Sequence, residues 1–383
     1  GGTADAVMKM CVGNGLGFAF EDGLNMRELF ETDYCSVLLE VDDPGDVKTL
    51  SGRVTLVGRT TNEGTISYQN EKLNLMDLIH QWEAPLSQVF PAVAEGAKEA
   101  EAVSYSKGQP KKACFKIARP RVFVPVFPGT NCEYDTLRAF ERAGAQGSFL
   151  VFKNKTEQDV EESVREMARL IREAQIVAFP GGFSAGDEPD GSGKFIVSAL
   201  RNPYVTEALM ELLQKRDGLI LGICNGFQAL IKTGLLPYGE IRPLAQDSPT
   251  LTYNTIGRHV AKVAYTRVSS NLSPWLAGVN VGDVHGVALS HGEGRFVAKE
   301  EDVKRFMEKG QIATQYCDID GNVLADGSVN PNGSVYNIEG LTSVDGRILG
   351  KMGHSERTGF GLYQNIEGDF DQRIFESGVA YFS

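Results

Sequence analysis

The sharpest chemical pattern in the chain is Gly222-Ile223-Cys224-Asn225-Gly226, set between an apolar run, DGLILGI, and an amphipathic one, FQALIKTG. The cysteine therefore falls where a strand gives way to a helix. A strand–nucleophile–helix turn with glycine two residues to either side is the cysteine form of a nucleophile elbow. Glycine is needed there because the turn is tight and holds the central residue in a strained conformation. At the head of a helix the macrodipole favours the thiolate of Cys224. The N–H of Asn225 would point at the carbon under attack, as one oxyanion donor. The alternative reading, a small buried hydrophobe, fits most cysteines, and the elbow weighs against it here.

A thiol nucleophile needs an imidazole, and the chain has five histidines. His80 precedes Trp82 in a helical stretch, and His259 and His285 lie in a strand-rich region without a partner pattern. His291, in Ser290-His291-Gly292-Glu293-Gly294-Arg295, is flanked by glycine and followed by a carboxylate. His354, in Met352-Gly353-His354-Ser355-Glu356-Arg357, follows a strand-like stretch, and at period two it projects the same way as Glu356. A histidine oriented by a carboxylate is what triad chemistry requires. Spacing alone does not choose between His291 and His354. Cys132 is a rival nucleophile by type but lacks an elbow. The six cysteines are scattered without a Cys-x-x-Cys pair, which argues against a zinc site or a disulfide framework and leads us to expect no metal.

The elements that would position these groups come from two unlike regions. In the first, an apolar helix-like run spans Ala4 to Cys11. The loop Gly13–Gly17 follows, then a helix over Leu24–Glu31. Short strands are expected over Cys35–Val41, Val54–Arg59 and Thr65–Tyr68, and a helix over Leu75–Trp82. Residues 94–118 have linker composition. From Pro120 on, strands alternate with helices. Strands are expected over Arg121–Phe127, Ser148–Phe152, Gln175–Phe179 and Gly218–Ile223. Helices run to Phe140, over Thr156–Glu173 with a Thr156–Asp159 cap, and over Asn225–Thr233. This order predicts an α/β fold, a doubly wound and mostly parallel sheet with helices on both faces. Ligands bind such sheets beyond the carboxyl ends of the strands, where the loops after Phe127, Phe179 and Ile223 gather. An antiparallel insertion is expected over about residues 251–297.

Composition narrows the function classes. With 383 residues, 42% of them hydrophobic, the chain can bury cores without staples. A balance of 38 basic against 50 acidic residues, net −12, does not suit a nucleic-acid backbone. No apolar run reaches membrane-spanning length, and no signal-like segment opens the chain. We therefore expect a cytoplasmic protein without nucleic-acid or membrane partners. Opening on Gly1 rather than methionine suggests a processed or excised chain.

The elbow Gly222–Gln228 with His354-Ser355-Glu356 downstream resembles the class I (triad) glutamine amidotransferases. Four ordered motifs narrow the resemblance to the phosphoribosylformylglycinamidine synthase family: Phe127–Cys132, Pro180–Asp187, Ser290–Arg295 and Met352–Arg357. It covers about residues 119–383. The Gly1-Gly2 helix start, Trp82, Pro85-Leu86 and Phe90-Pro91 are similar to the end of that family's last synthetase domain, which is aminoimidazole ribonucleotide synthetase-like. The resemblance thus implies a partial α+β synthetase-like domain at 1–93, a linker at 94–118 and a glutaminase domain at 119–383.

The same resemblance implies Cys224 as nucleophile, His354 as acid and base, and Glu356 as its orienter. Gly182 or Phe183 would give a second oxyanion N–H beside that of Asn225, and Gln228 would lie beside bound glutamine. His291 and Glu293 are secondary candidates. Implied partners are glutamine and the remaining synthetase domains. The glutaminase would need no cofactor, while the synthetase reaction would use ATP and Mg2+, not fully bound by this chain. One departure from the family is the loop after Asp187, EPDGSGK, which is longer and more acidic. Two rivals remain: a Cys-His peptidase on the same fold, and a non-catalytic sensing module. Neither accounts for the Gly-Gly-Phe-Ser and His-Ser-Glu motifs together. The glycines of Gly13–Gly17 read as a turn, and Gly1-Gly2 at a helix start is a somewhat better phosphate candidate.

Overall fold

The structure is a computed structural model that describes residues 1–94, 99–186 and 192–383. The chain divides into two compact units, one of Gly1–Ala92 with Tyr363–Glu367, the other of Val93–Leu362 with Gly368–Ser383. No helix among the described residues is long and apolar enough to cross a membrane.

The first unit runs α1 (Gly2–Asn14), β1 (Gly17–Phe20), α2 (Met26–Phe30), β2 (Gly58–Thr61), β3 (Thr65–Tyr68), β4 (Glu71–Asn74) and α3 (Leu75–Glu83). Its strands form a sheet in the order β2-β1-β3-β4, over a small core of Val7, Cys11, Ile66 and Leu75. The strand expected over Cys35–Val41 does not form. Its apolar side chains Val37 and Leu39 stay exposed, so no burial offsets the cost of ordering it. The one expected over Val54–Arg59 shrinks to β2. Conversely β4 is exposed along its whole length and is held by its antiparallel ladder with β3, which hydrophobic patterning cannot reveal.

The second unit begins with β5 (Arg121–Val126), α4 (Glu133–Arg142), β6 (Gln146–Val151), α5 (Glu157–Glu173) and β7 (Ile176–Phe179). Then come α6 (Lys194–Leu200), α7 (Pro203–Lys215), β8 (Leu219–Ile223), α8 (Asn225–Thr233) and α9 (Leu235–Tyr238). The remainder is β9 (Thr250–Thr252), β10 (Val260–Val268), β11 (Val284–His291), β12 (Arg295–Val297), α10 (Glu300–Lys309), β13 (Ile312–Cys317), β14 (Ile338–Thr342), β15 (Ile348–Lys351) and α11 (Ile374–Ala380). The Thr156–Asp159 capping box opens α5 as its spacing predicts. Of the expected linker, residues 95–98 lie outside the described residues. The following stretch is laced to this unit, with Val103 N–H on the Gln315 side chain and Ala113 N–H on the Tyr381 carbonyl.

A nine-stranded sheet runs β11-β10-β13-β14-β15-β8-β7-β5-β6. From β15 through β8, β7 and β5 to β6 every pairing is parallel. From β15 through β14, β13 and β10 to β11 every pairing is antiparallel. The sheet is therefore mixed, which corrects the expectation of a mostly parallel one. The expected insertion supplies β10 and β11 as its far edge, and β9 with β12 form a separate pair. Strands β7 and β8 are buried at every residue, and so are the antiparallel β13 and β14, all of which lie inside the sheet. By contrast β10 alternates between buried and open positions, as an antiparallel strand with one wetter face can.

Candidate active site

Buried strand β8 delivers Cys224 to the head of α8 in a conformation few side chains adopt, φ 51° and ψ −104°. Its N–H is fixed on the carbonyl of Lys351 at 2.8 Å. The two flanking glycines have different jobs. A Cβ on Gly222 would stand 2.5 Å from Leu230 Cδ1, and one on Gly226 would stand 2.0 Å from the carbonyl oxygen of Phe179. Helix α8 thus lies against the ends of β7 and β8 so closely that only glycine fits. Cys224 itself is buried, its Sγ 3.7 Å from the Ser290 carbonyl.

The imidazole arrives on the neighbouring strand. β15 runs parallel to β8 with Lys351 level with Ile223, and the chain then turns so that His354 donates its backbone N–H to the Ala288 carbonyl at 2.9 Å. His354 Nδ1 lies 2.6 Å from Glu356 Oε1, both side chains fully enclosed. Burial alone would depress the imidazole's pKa. The Glu356 carboxylate, helped by Cys224 and Cys132, overcomes burial and holds it well above its ordinary value. Burial likewise pushes Glu356 up, but the facing imidazolium wins and keeps it below the usual carboxylate range. His354 Nε2 is buried and, among the described residues, has no hydrogen-bond partner.

Two cysteines therefore flank one imidazole. Cys132, which heads α4, sits 3.8 Å from His354 Nδ1 and accepts from Arg357 Nη2 at 3.1 Å. Its Sγ, a ring nitrogen of His354 and a Glu356 oxygen lie within 4.8 Å of one another. Yet Nδ1 is already committed to Glu356. In triad chemistry the nitrogen that moves the proton is the one the carboxylate does not hold, and that is Nε2. Cys132 is on the orienting side of the ring, and Cys224 has the strained elbow. The contact between Cys132 and His354 had no signal in the sequence, since 222 residues separate them.

His291, the other histidine that spacing allowed, is buried with neither ring nitrogen partnered among the described residues, and burial drives its pKa down to about 3. It is neutral near pH 7. Its expected carboxylate, Glu293, instead accepts the Ser192 N–H at 2.9 Å. The structure thus separates the two histidines as spacing could not.

The other expected residues gather around the elbow. Gly129 accepts the Phe183 N–H at 2.9 Å, while Asn131 and Cys132 donate theirs to the Gly181 carbonyl. This ties together the loops after β5 and β7. The Phe183 N–H is thereby committed to the Gly129 carbonyl, which counts against it as an oxyanion donor. A Cβ on Gly182 would stand 2.7 Å from the Gly129 oxygen. Asn225 Oδ1 accepts the Ser184 N–H at 3.3 Å, and its Nδ2 donates to Gln228 Oε1 at 3.0 Å. Gln228 Nε2 in turn donates to the Glu293 carbonyl at 2.7 Å. Gln228 therefore braces the elbow against the Ser290–Arg295 loop. The acidic loop from Asp187 to Gly191 lies outside the described residues. A cavity of about 290 Å3 opens beside Glu356, between Arg138, Arg142 and Arg357.

In the first unit the glycines answer to backbone geometry. Gly15 is the left-handed C-cap of α1, and a Cβ on Gly17 would stand 1.8 Å from the Glu63 carbonyl oxygen. The head of α1 carries Asp5, whose side chain lies 2.2 Å from where a Gly1 Cβ would be. That carboxylate is paired with Lys9 Nζ at 2.9 Å and fills the space beside Gly1.

A family model for the CobB/CobQ-like glutamine amidotransferase domain matches residues 119–382. Phosphoribosylformylglycinamidine synthase subunit PurQ of Aquifex aeolicus is 36% identical over 234 residues, which cover 61% of this chain and 89% of that protein. The subunit of the same name from Methanococcus maripaludis is 36% identical over 288 residues, covering 69% of this chain and 98% of that one. The solved structure of PurLQS from Thermotoga maritima matches 69% of this chain and 100% of its own with a TM-score of 0.50 at 25% identity. With a carboxylate-oriented histidine beside an elbow cysteine on the matched segment, the chain belongs to the glutamine amidotransferase family of enzymes.

Proposed function

We propose that this chain is the glutaminase part of a phosphoribosylformylglycinamidine synthase, acting through Cys224, His354 and Glu356. The Cys224 thiolate attacks the side-chain amide carbon of glutamine. The N–H groups of Asn225 and Gly182 stabilise the oxyanion, and His354 gives its proton to the departing nitrogen. The C–N bond breaks, ammonia leaves and a glutamyl thioester remains on Cys224. Water, deprotonated by His354, then attacks the thioester, releasing glutamate and the thiolate. The ammonia would convert formylglycinamide ribonucleotide to its amidine in purine biosynthesis.

The observation that carries this reading is His354, held on one nitrogen by Glu356 and close enough to the elbow cysteine, Cys224, for that group to raise its pKa. All six cysteines are free thiols, which suits a reducing compartment such as the cytoplasm.

Residues 1–93 would belong to the synthetase side, with 94–118 as the connection to the glutaminase at 119–383. Large apolar side chains left exposed in that unit, among them Phe30, Val37, Trp82 and Phe90, support a surface for further synthetase domains. ATP and Mg2+ would serve that second reaction by activating the amide oxygen. The nucleotide would not be fully bound by this chain alone.

Glutamine hydrolysis tests the reading directly. Cys224→Ala should abolish both turnover and labelling by the diazoketone analogue of glutamine, and Cys132→Ala should keep both. Labelling that survives Cys224→Ala, or vanishes with Cys132→Ala alone, would sink the assignment.

A further inference from the structure

Directly beneath the triad lies a charged pair that the reaction does not consume. Lys351, the last residue of β15, and Glu339 on β14 are both fully buried, with Nζ 3.7 Å from Oε1. Desolvating two ions is costly, and well-packed apolar residues in place of such a pair are often neutral or stabilising. Stability alone therefore does not account for it. Burial pulls the Lys351 pKa below its ordinary value, although the carboxylates of Glu339 and Glu356 pull the other way.

The pair's side chains hold the residues on either side of His354, and the main chain of Lys351 holds Cys224. The carbonyl of Lys351 accepts the N–H of Cys224 at 2.8 Å. Its Nζ donates to Ser355 Oγ at 2.7 Å and to Gln372 Oε1 at 2.6 Å. Glu339 Oε1 accepts the N–H of Gly353 at 2.6 Å, and its other oxygen accepts from Thr314 Oγ1. Gln372 closes the frame, accepting from Ser355 Oγ at 2.9 Å and donating to Thr266 Oγ1 at 2.9 Å. Gly353 and Ser355 are the residues immediately before and after His354.

We infer that Lys351 and Glu339 are positioning residues, a buried clamp that fixes His354 from both sides and ties it to the elbow that carries Cys224. This rests on the reading of Cys224 and His354 as nucleophile and acid–base. The charges matter because each ion is held by the other and so cannot swing away. A neutral residue at either place would release one flank of His354 and leave the remaining charge buried without its partner. Proton transfer at Nε2 needs that ring placed to within a fraction of an ångström, and substrate binding does not. The clamp should therefore act on the chemical step.

The test compares the full chain with its Lys351→Met, Lys351→Met/Glu339→Gln and Ser355→Ala variants. It follows labelling of Cys224 by the diazoketone analogue of glutamine across its concentration range, alongside thermal melting. The limiting labelling rate should fall about 100-fold in both Lys351 variants and about 10-fold in Ser355→Ala. The half-saturating concentration should stay close to that of the unaltered chain. The double variant should regain melting temperature lost by the single one without regaining rate. An unaltered labelling rate in the folded double variant overturns the clamp, as does a rate that follows melting temperature across the set. Ser355→Ala buries no unpaired charge and decides the matter if neither Lys351 variant folds. Cys224→Ala, run in parallel, keeps the two readings apart: labelling that survives it overturns the nucleophile assignment rather than the clamp.

Discussion

At the scale of single residues, the balance at His354 sets a pH dependence whose sign can be worked out. Burial favours the neutral imidazole, and Glu356 more than reverses this, so the ring stays protonated above its ordinary pKa. On the proposed mechanism protonated His354 donates to the departing nitrogen, so its loss would define the alkaline limb of the activity profile. In Glu356→Gln the largest opposing influence is gone and only the two cysteines work against burial. The alkaline limb should move to lower pH, and kcat at neutral pH should fall by about 100-fold, the weight of a positioned acid–base group. Glutaminase pH profiles of the two proteins, measured on kcat, check this; an alkaline limb that stays in place would mean that Glu356 does not set the His354 ionisation.

At the scale of elements, the elbow depends on how closely α8 meets the sheet. A methyl group at Gly226 would press on the Phe179 carbonyl at 2.0 Å, and one at Gly350 on the Phe227 ring at 2.2 Å. Neither neighbour is the far end of a flexible chain, since one is β7 backbone and the other a buried ring. Gly226→Ala should therefore cost about 1–3 kcal/mol in denaturant unfolding, as overpacking does, and should also displace Asn225 and slow Cys224 labelling. Gly350→Ala, in β15, should destabilise comparably while disturbing the elbow less. Equal effects of the two changes on labelling would argue that α8 shifts as a rigid body. The elbow was legible because its geometry demands particular residues at fixed spacing: Gly222, Cys224 and Gly226 sit within five positions. The order of β5 to β8 and their helices was legible for a similar reason, since apolar runs of strand length alternate with helical periodicity. The clamp was not, because Lys351 ends an apolar strand and Glu339 lies in another, and neither strand's pattern says they are neighbours. The edge position of β10 and β11 was hidden too, since alternation marks a half-covered strand without naming the sheet it joins.

At the scale of the whole molecule, the two units differ in how much apolar side chain each removes from water. In the parallel half of the large sheet, β5, β7 and β8 share a core that also takes in Phe140, Phe227 and Trp275, while the edge strand β6 is largely open. The first unit gathers four buried residues with a ring of partly covered neighbours, and leaves its β4 open along its length. Local opening costs least where few apolar contacts hold the backbone. Amides of β1, β2, β3 and β4 should therefore exchange with solvent well before those of β7 and β8, and with a free energy below that of global unfolding. Hydrogen exchange followed by mass spectrometry on the full chain measures this. If contacts with further synthetase domains cover the exposed apolar side chains, exchange in the first unit should slow when those domains are supplied, while β7 and β8 stay as they were. Equal protection of both units in the chain alone would mean that the first unit needs no such cover, and would remove one support for placing it on the synthetase side.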